Sequence, residues 1–260
     1  MFLLSWYKAI LTSWPFGRGI VEKTVLAFLP VAAFLVIVAT LLSVASFDVV
    51  NEPFWVFFYI VLGFAWLWIG TLMMSACLDL SWKDDILNMN NRAALFAFVG
   101  GFLGLTIIYA GANVGDGPGW WCVVFAGGLG VVAWVVLAWI LNLGTHALER
   151  ITVERDVACG IRFGCYLLAS GIILGRASAG DWTSAAMTVI EFGSGWPALP
   201  LVVFAGIGER MLAGLGKEQD AVGGNVLGSV ILGGLLIVFA VASIIITPLI
   251  QGGVSLWTGK

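Results

Sequence analysis

Apolar residues run along this chain in blocks about twenty long, separated by short polar stretches and without any sustained alternation of period two. A bilayer core about 30 Å thick takes about twenty apolar residues per helix. The blocks therefore predict seven spans, roughly 24–47, 54–78, 93–113, 119–143, 156–177, 182–208 and 221–250. The expected fold class is all-α, a polytopic helical membrane bundle. A membrane β-barrel is excluded, because its strands are short and alternate in hydropathy. Ahead of the first block, Trp6, Tyr7, Lys8, Trp14 and Arg18 are residues of the membrane–water boundary, and they predict that 1–23 lies on the membrane surface. Lys8 interrupts the apolar run there and no small-residue cleavage site follows, which argues against a signal peptide.

Composition strengthens this picture. Hydrophobic residues make up 61% of the chain and charged ones 10%, too apolar for a soluble domain of this size. There is no basic run to suggest nucleic acid. Cys77, Cys122, Cys159 and Cys165 lie in or beside apolar blocks without CxxC spacing, and they read as small buried residues. No metal site and no cofactor is expected.

Charge sets the orientation. Lys8, Arg18, Lys23, Lys83, Arg92, Arg150, Arg155, Arg210 and Lys217 fall on one side of the seven spans, and only Lys260 on the other, where Asp48, Glu52, Asp116 and Asp181 lie. The positive-inside rule then predicts a cytoplasmic N-terminus, a periplasmic C-terminus and residence in a bacterial inner membrane.

Glycine divides the spans. None occurs between Ile20 and Leu62, so 24–47 is expected at the periphery. Later spans carry Gly100/Gly104, Gly160/Gly164, Gly171/Gly175 and Gly224/Gly228, the small-xxx-small spacing that lets helices approach closely within one chain or between copies in a homo-oligomer. Ala93 and Ala158, Phe98 and Phe163, and Gly115-Asp116 and Gly180-Asp181 are each 65 residues apart. This predicts a repeated-hairpin domain over 54–250, in parallel units of about 54–118, 119–184 and 185–250, the third with little identity.

Asn90-Asn91-Arg92-Ala93-Ala94 before a Gly-rich span resembles the domain-of-unknown-function 350 family. So do Val153-Glu154-Arg155-Asp156-Val157-Ala158, the run from Ser170 to Arg176, and Ala179-Gly180-Asp181-Trp182. The resemblance covers about 54–250. It implies a bacterial inner-membrane protein built from repeated two-helix units, and it brings no catalytic residues with it.

Candidate chemistry is sparse. Arg155, Arg162 and Arg176 form a stripe on one helical face, and Glu191 follows ten residues after Asp181, about 15 Å of helix and hence near mid-membrane. A helix break is expected from Gly193 to Pro200. Arg162, Glu191, Arg176 and Ser194 make up the candidate intramembrane polar site, with Glu191 turned toward the fifth span and Arg162 its nearer cation. Asn113 and Asn142 are expected to hydrogen-bond between helices. The candidate cytoplasmic docking loops carry Asp84, Asp85 and Arg92, then Glu149, Arg150, Glu154, Arg155 and Asp156, then Glu209 and Arg210. Gly193-Ser194-Gly195 suggests a serine nucleophile, but the sole histidine, His146, belongs to a loop on the other side, so catalysis is not expected. Two readings stand. One is a non-enzymatic membrane subunit or scaffold of an envelope-integrity or stress assembly, with cytoplasmic or membrane protein partners. The other is a channel or transporter for a small ion or solute at Glu191 and Arg162.

Overall fold

The computed structural model describes residues 2–13, 19–50, 52–218, 222–247, 250–251 and 254–255, without the side chains of 47–48, 214–218, 222–225 and 250–255. Trp14, Arg18 and Lys260, named above, lie outside the described residues, as do the side chain of Lys217 and the surroundings of Gly224. The helices are α1 (Phe2–Thr12), α2 (Ile20–Ser43), α3 (Phe47–Val50), α4 (Pro53–Leu78), α5 (Arg92–Ala112), α6 (Trp120–Thr145), α7 (Ala147–Thr152), α8 (Val157–Ala177), α9 (Ala185–Phe192), α10 (Ala198–Glu218) and α11 (Val222–Ile246). A two-residue antiparallel pairing of Ile250–Gln251 with Val254–Ser255 follows. Seven helical segments are long and apolar enough to cross a membrane, α9 and α10 together supplying the sixth, and the chain is a multi-pass membrane protein. Phe28, Leu35, Trp68, Ile69, Val132, Val203 and Val230 stand exposed on the outside of the bundle, as lipid-facing residues do.

At the centre, α5 and α8 make the most extensive contact in the molecule. Glycine makes it possible. A Cβ on Gly100 would lie 1.9 Å from the carbonyl oxygen of Gly164, and one on Gly111 1.9 Å from that of Gly175. Gly160 faces the Ala93 carbonyl and Gly171 the Cα of Gly104 in the same way. These pairs advance together along both chains, so the two helices are parallel, backbone against backbone. Both are 21 residues long, whereas α4 and α6 beside them have 26.

Helix starts repeat at a fixed interval. α5, α8 and α11 begin at Arg92, Val157 and Val222, 65 residues apart each time. Asn91 caps α5 by accepting from the N–H groups of Ala93 and Ala94, and Asp156 caps α8 by accepting from that of Cys159. Each cap follows a residue in the left-handed region, Asn90 at φ 51° and Arg155 at φ 57°. At the other end the two turns touch directly. The Gly180 N–H donates to the Val114 carbonyl, the Trp182 N–H to that of Asp116, and the Asp116 N–H to Asp181 Oδ1.

The remaining helices dress this pair. α2 buries one stripe, Leu26, Leu29, Ala33, Ile37 and Leu41, against α5 and α4 and leaves its other face exposed. α11 lies along α8, where Gly233 meets the Cys165 side chain, and against α10, where Gly228 meets the side chain of Leu212, not backbone. α1 is more than a surface strip. Trp6 is fully buried, stacks on Trp82 at 4.1 Å and donates from Nε1 to the Leu26 carbonyl. The polar connections are also ordered: 82–88 forms a π-helical turn and 147–152 is α7. The third expected loop, 209–220, begins instead as helix, because α10 continues to Glu218.

The seam yields a paired prediction. Gly100→Ala or Gly111→Ala must push two backbones apart and should cost about 1–3 kcal/mol or more. Gly128→Ala, where the new methyl meets nothing within 4 Å, should gain up to about 1 kcal/mol from helix propensity. Thermal unfolding in detergent compares the three.

Candidate functional site

Arg162, the sixth residue of α8, is 2% exposed and points away from α5, toward α10 and α11. Its Nε donates to Glu209 Oε2 at 2.5 Å and its Nη2 to Glu209 Oε1 at 2.6 Å, a bidentate fork, while Nη1 donates to Ser229 Oγ. Glu209 is itself buried and accepts a further bond from Arg150 Nη1 at 2.5 Å. Arg150 Nη2 donates to Asp156. Two arginines and two carboxylates thus form one closed network that ties α7, the start of α8, α10 and α11 together.

Each charge in it has a compensating neighbour, as burial demands. Burial alone pushes the Asp156 carboxyl up. The Cys159 N–H and the charges of Arg150 and Arg162 outweigh that and hold it below its ordinary value. Burial acts against the Arg150 charge as well, and Cys159, Glu209 and Asp156 reverse the effect and raise it. This cluster departs from the expected roles. The sequence places Glu209, Arg150 and Asp156 on a docking face, but Glu209 lies within α10 and the three pair with one another and with Arg162. Arg155 is not on the α8 stripe at all, since its left-handed backbone places it before the cap. Asp84, Arg92, Glu149, Glu154, Arg155 and Arg210 remain exposed at this end, and Asp85 is half-buried. Arg92 pairs with the buried Glu22, and Arg210 donates to the Gly144 carbonyl.

Glu191 belongs to the opposite end. Residues 179–184 are not helical, and α9 starts only at Ala185, where Ser184 caps it by accepting from the Met187 N–H. Little depth is gained before Glu191, whose Oε2 lies beside Gly180. Eighteen residues of chain separate Arg162 from Gly180, about 27 Å along a helix, so the expected pairing of Glu191 with Arg162 is replaced by that of Arg162 with Glu209. Glu191 is 7% exposed and faces a cavity of about 120 Å³. Tyr59, Asn113, Ser178 and Thr188 give it polar walls, Trp55 and Trp182 aromatic ones, and among the described residues no lysine, arginine or histidine lines it. Of the two asparagines, Asn142 bonds between helices, its Oδ1 accepting from the Leu148 N–H of α7, whereas Asn113 bonds locally, its Nδ2 donating to the Tyr109 carbonyl.

Arg176 and Ser194 occupy a third place. The break came where expected, as a 3₁₀ turn at Gly193–Gly195, and it brings Ser194 beside Arg176 at the last turn of α8. His146 follows α6 at the far end, so no base attends Ser194 among the described residues. Among them, no group of three His, Cys, Asp or Glu is placed to hold a metal ion.

The layer between the two ends is filled by Phe98, Phe102, Leu105, Trp134, Phe163 and Leu167, each at most 1% exposed. Nothing in sequence spacing marked Glu209 as the partner of Arg162, 47 residues away. The signal available was an acid at the end of an apolar block.

Two measurements probe the network. Glu209→Gln or Arg162→Ala should each destabilise by about 3–5 kcal/mol, whereas Arg162→Met combined with Glu209→Leu should be near neutral or stabilising. Because the Asp156 carboxyl is held below its usual value, the stability it adds is present above that value, near pH 3.8, and is lost as pH falls through the depressed one. Asn caps a helix about as well as Asp, so Asp156→Asn should flatten the acid side of the stability–pH profile while sparing the helix start.

No family model matches the chain, and neither a curated protein nor a solved structure matches it.

Proposed function

We propose that the chain is a non-enzymatic, multi-pass subunit of a bacterial inner membrane, serving as a rigid scaffold within an envelope-integrity or stress assembly. The observation behind this reading is the closed network of Arg150, Arg162, Glu209, Asp156 and Ser229, in which buried charge holds helices and is not offered to a moving solute. The filled layer above it supports the same view. The N-terminus is cytoplasmic on the lysine and arginine count, which makes the end carrying Asp84, Glu149, Glu154 and Arg155 the docking face for partners. The 65-residue interval between the starts of α5, α8 and α11 supports a parallel repeat and the relationship to the domain-of-unknown-function 350 family.

A second reading, binding or passage of a small cation or solute, is favoured by one feature: the buried Glu191 beside a polar cavity that no basic residue lines among the described residues. Flux separates the two. Proteoliposomes should leak protons and potassium no faster than empty vesicles. A flux that Glu191→Gln abolishes would establish the second reading in place of the first. In a cysteine-free background, Lys83→Cys and Glu149→Cys should label only from the cytoplasmic side and Asp116→Cys only from the other; the reverse pattern overturns the orientation. A photo-crosslinker at Glu149 or Glu154 should trap one recurrent neighbour that a crosslinker at the lipid-facing Ile231 does not.

A further inference from the structure

α2 leans on α5 and α11 lies along α8, which leaves a strip of the α5–α8 seam between them uncovered near the acidic end. The strip is the floor of a groove of about 510 Å³. Gly111 and Gly175 give the floor no side chains, and Val36 and Thr40 of α2 and Ile244 of α11 form its walls. The groove is mostly apolar, and at its end stands Arg176. A small recess adjoins it, sharing Arg176 and Ile244, and adds Ser194 and Thr247.

Two polar groups here are left over by the protein. The Ser194 hydroxyl is buried and has no hydrogen-bond partner among the described residues, which costs about 1–3 kcal/mol. Arg176 forms no ion pair with the described residues, and it is the one arginine or lysine among them at this end. Asp181, which also borders the groove, has Oδ1 engaged by the Asp116 N–H. A guanidinium donates hydrogen bonds to a phosphate, which the planar fork of arginine suits. A free anion is repelled by the surrounding Asp116, Asp181 and Glu191, whereas a phosphate tethered to acyl chains is delivered by the membrane itself.

We propose that this groove holds one phospholipid with an anionic headgroup. An acyl chain lies along the glycine floor between α2 and α11, and the phosphate meets Arg176. The site is independent of whether the chain acts as a scaffold.

The test is native mass spectrometry of the full chain released from membranes of equimolar phosphatidylglycerol and phosphatidylcholine. The wild type should retain one lipid with about tenfold enrichment of phosphatidylglycerol, the selectivity expected of a charge-assisted contact. Arg176→Gln should bring the ratio close to one, and Arg176→Lys should keep most of it. Thr40→Trp, which fills the groove and leaves Arg176 in place, should lower the amount of lipid retained. Thermal unfolding checks that the variants fold. Retention without headgroup preference in the wild type, or preference that survives Arg176→Gln, overturns the proposal. So does displacement by soluble glycerol phosphate at equal concentration, which would mean that the headgroup alone is bound.

Discussion

The contact on which this molecule depends is the approach of two backbones. Where α5 meets α8, carbonyl oxygens of one helix lie where Cβ atoms of the other would be, at Gly100, Gly111, Gly160 and Gly171. In a membrane there is little hydrophobic gain from bringing apolar helices together, so close packing and the attractions it allows must hold them. Parallel alignment follows from the seam, and so does the meeting of the Gly115 and Gly180 turns at one end and of the capped starts at the other. The other spans are laid against a unit that is already fixed.

The second parallel contact, α8 with α11, is solved differently. Counting 65 residues on, Ala97 of the first seam becomes Arg162, Gly164 becomes Ser229 and Gly144 becomes Glu209. The first seam relies on the absence of side chains; across the second, Arg162 of α8 bonds Ser229 of α11 and is held from the side by Glu209 of α10. Backbone contact gives way to an ion pair and a hydroxyl, at the price of burying charge. Specificity is gained in return, because Arg162 has its full set of partners only when α10 and α11 are both in place.

Much of this architecture was legible in the chain. Apolar blocks of spanning length give the seven helices within a few residues at every end but that of the sixth, which runs ten residues further as α10, since little else can be done with such segments in lipid. The glycine pairs of the third and fifth spans marked the seam, and Gly193 to Pro200 marked the break. What escaped was depth and partnership. Counting Asp181 to Glu191 as helix put Glu191 at mid-membrane, but Ser184 is the cap and the preceding residues are not helical, so the acid stays near the surface. Glu209 looked like the start of a loop because charges crowd from 209 to 220, whereas α10 carries them on as helix. The buried place of Trp6 was hidden by its neighbours, since Trp, Tyr and Lys together describe a boundary segment equally well. Each miss concerns where a side chain lands in three dimensions, which spacing along the chain does not encode.

The lengths of the helices bear on the membrane they sit in. At 1.5 Å per residue, the 21 residues of α5 and α8 reach about 32 Å, close to a bilayer core standing upright, whereas the 26 of α4 and α6 reach about 39 Å. The outer helices can lean or extend into the headgroups to suit a thicker or thinner sheet of lipid. The seam pair has no such slack, because tilting one helix against the other would separate glycine backbones that have no side chains to bridge a gap. Bilayer thickness is therefore registered first at the rigid centre of the molecule and only afterwards at its rim.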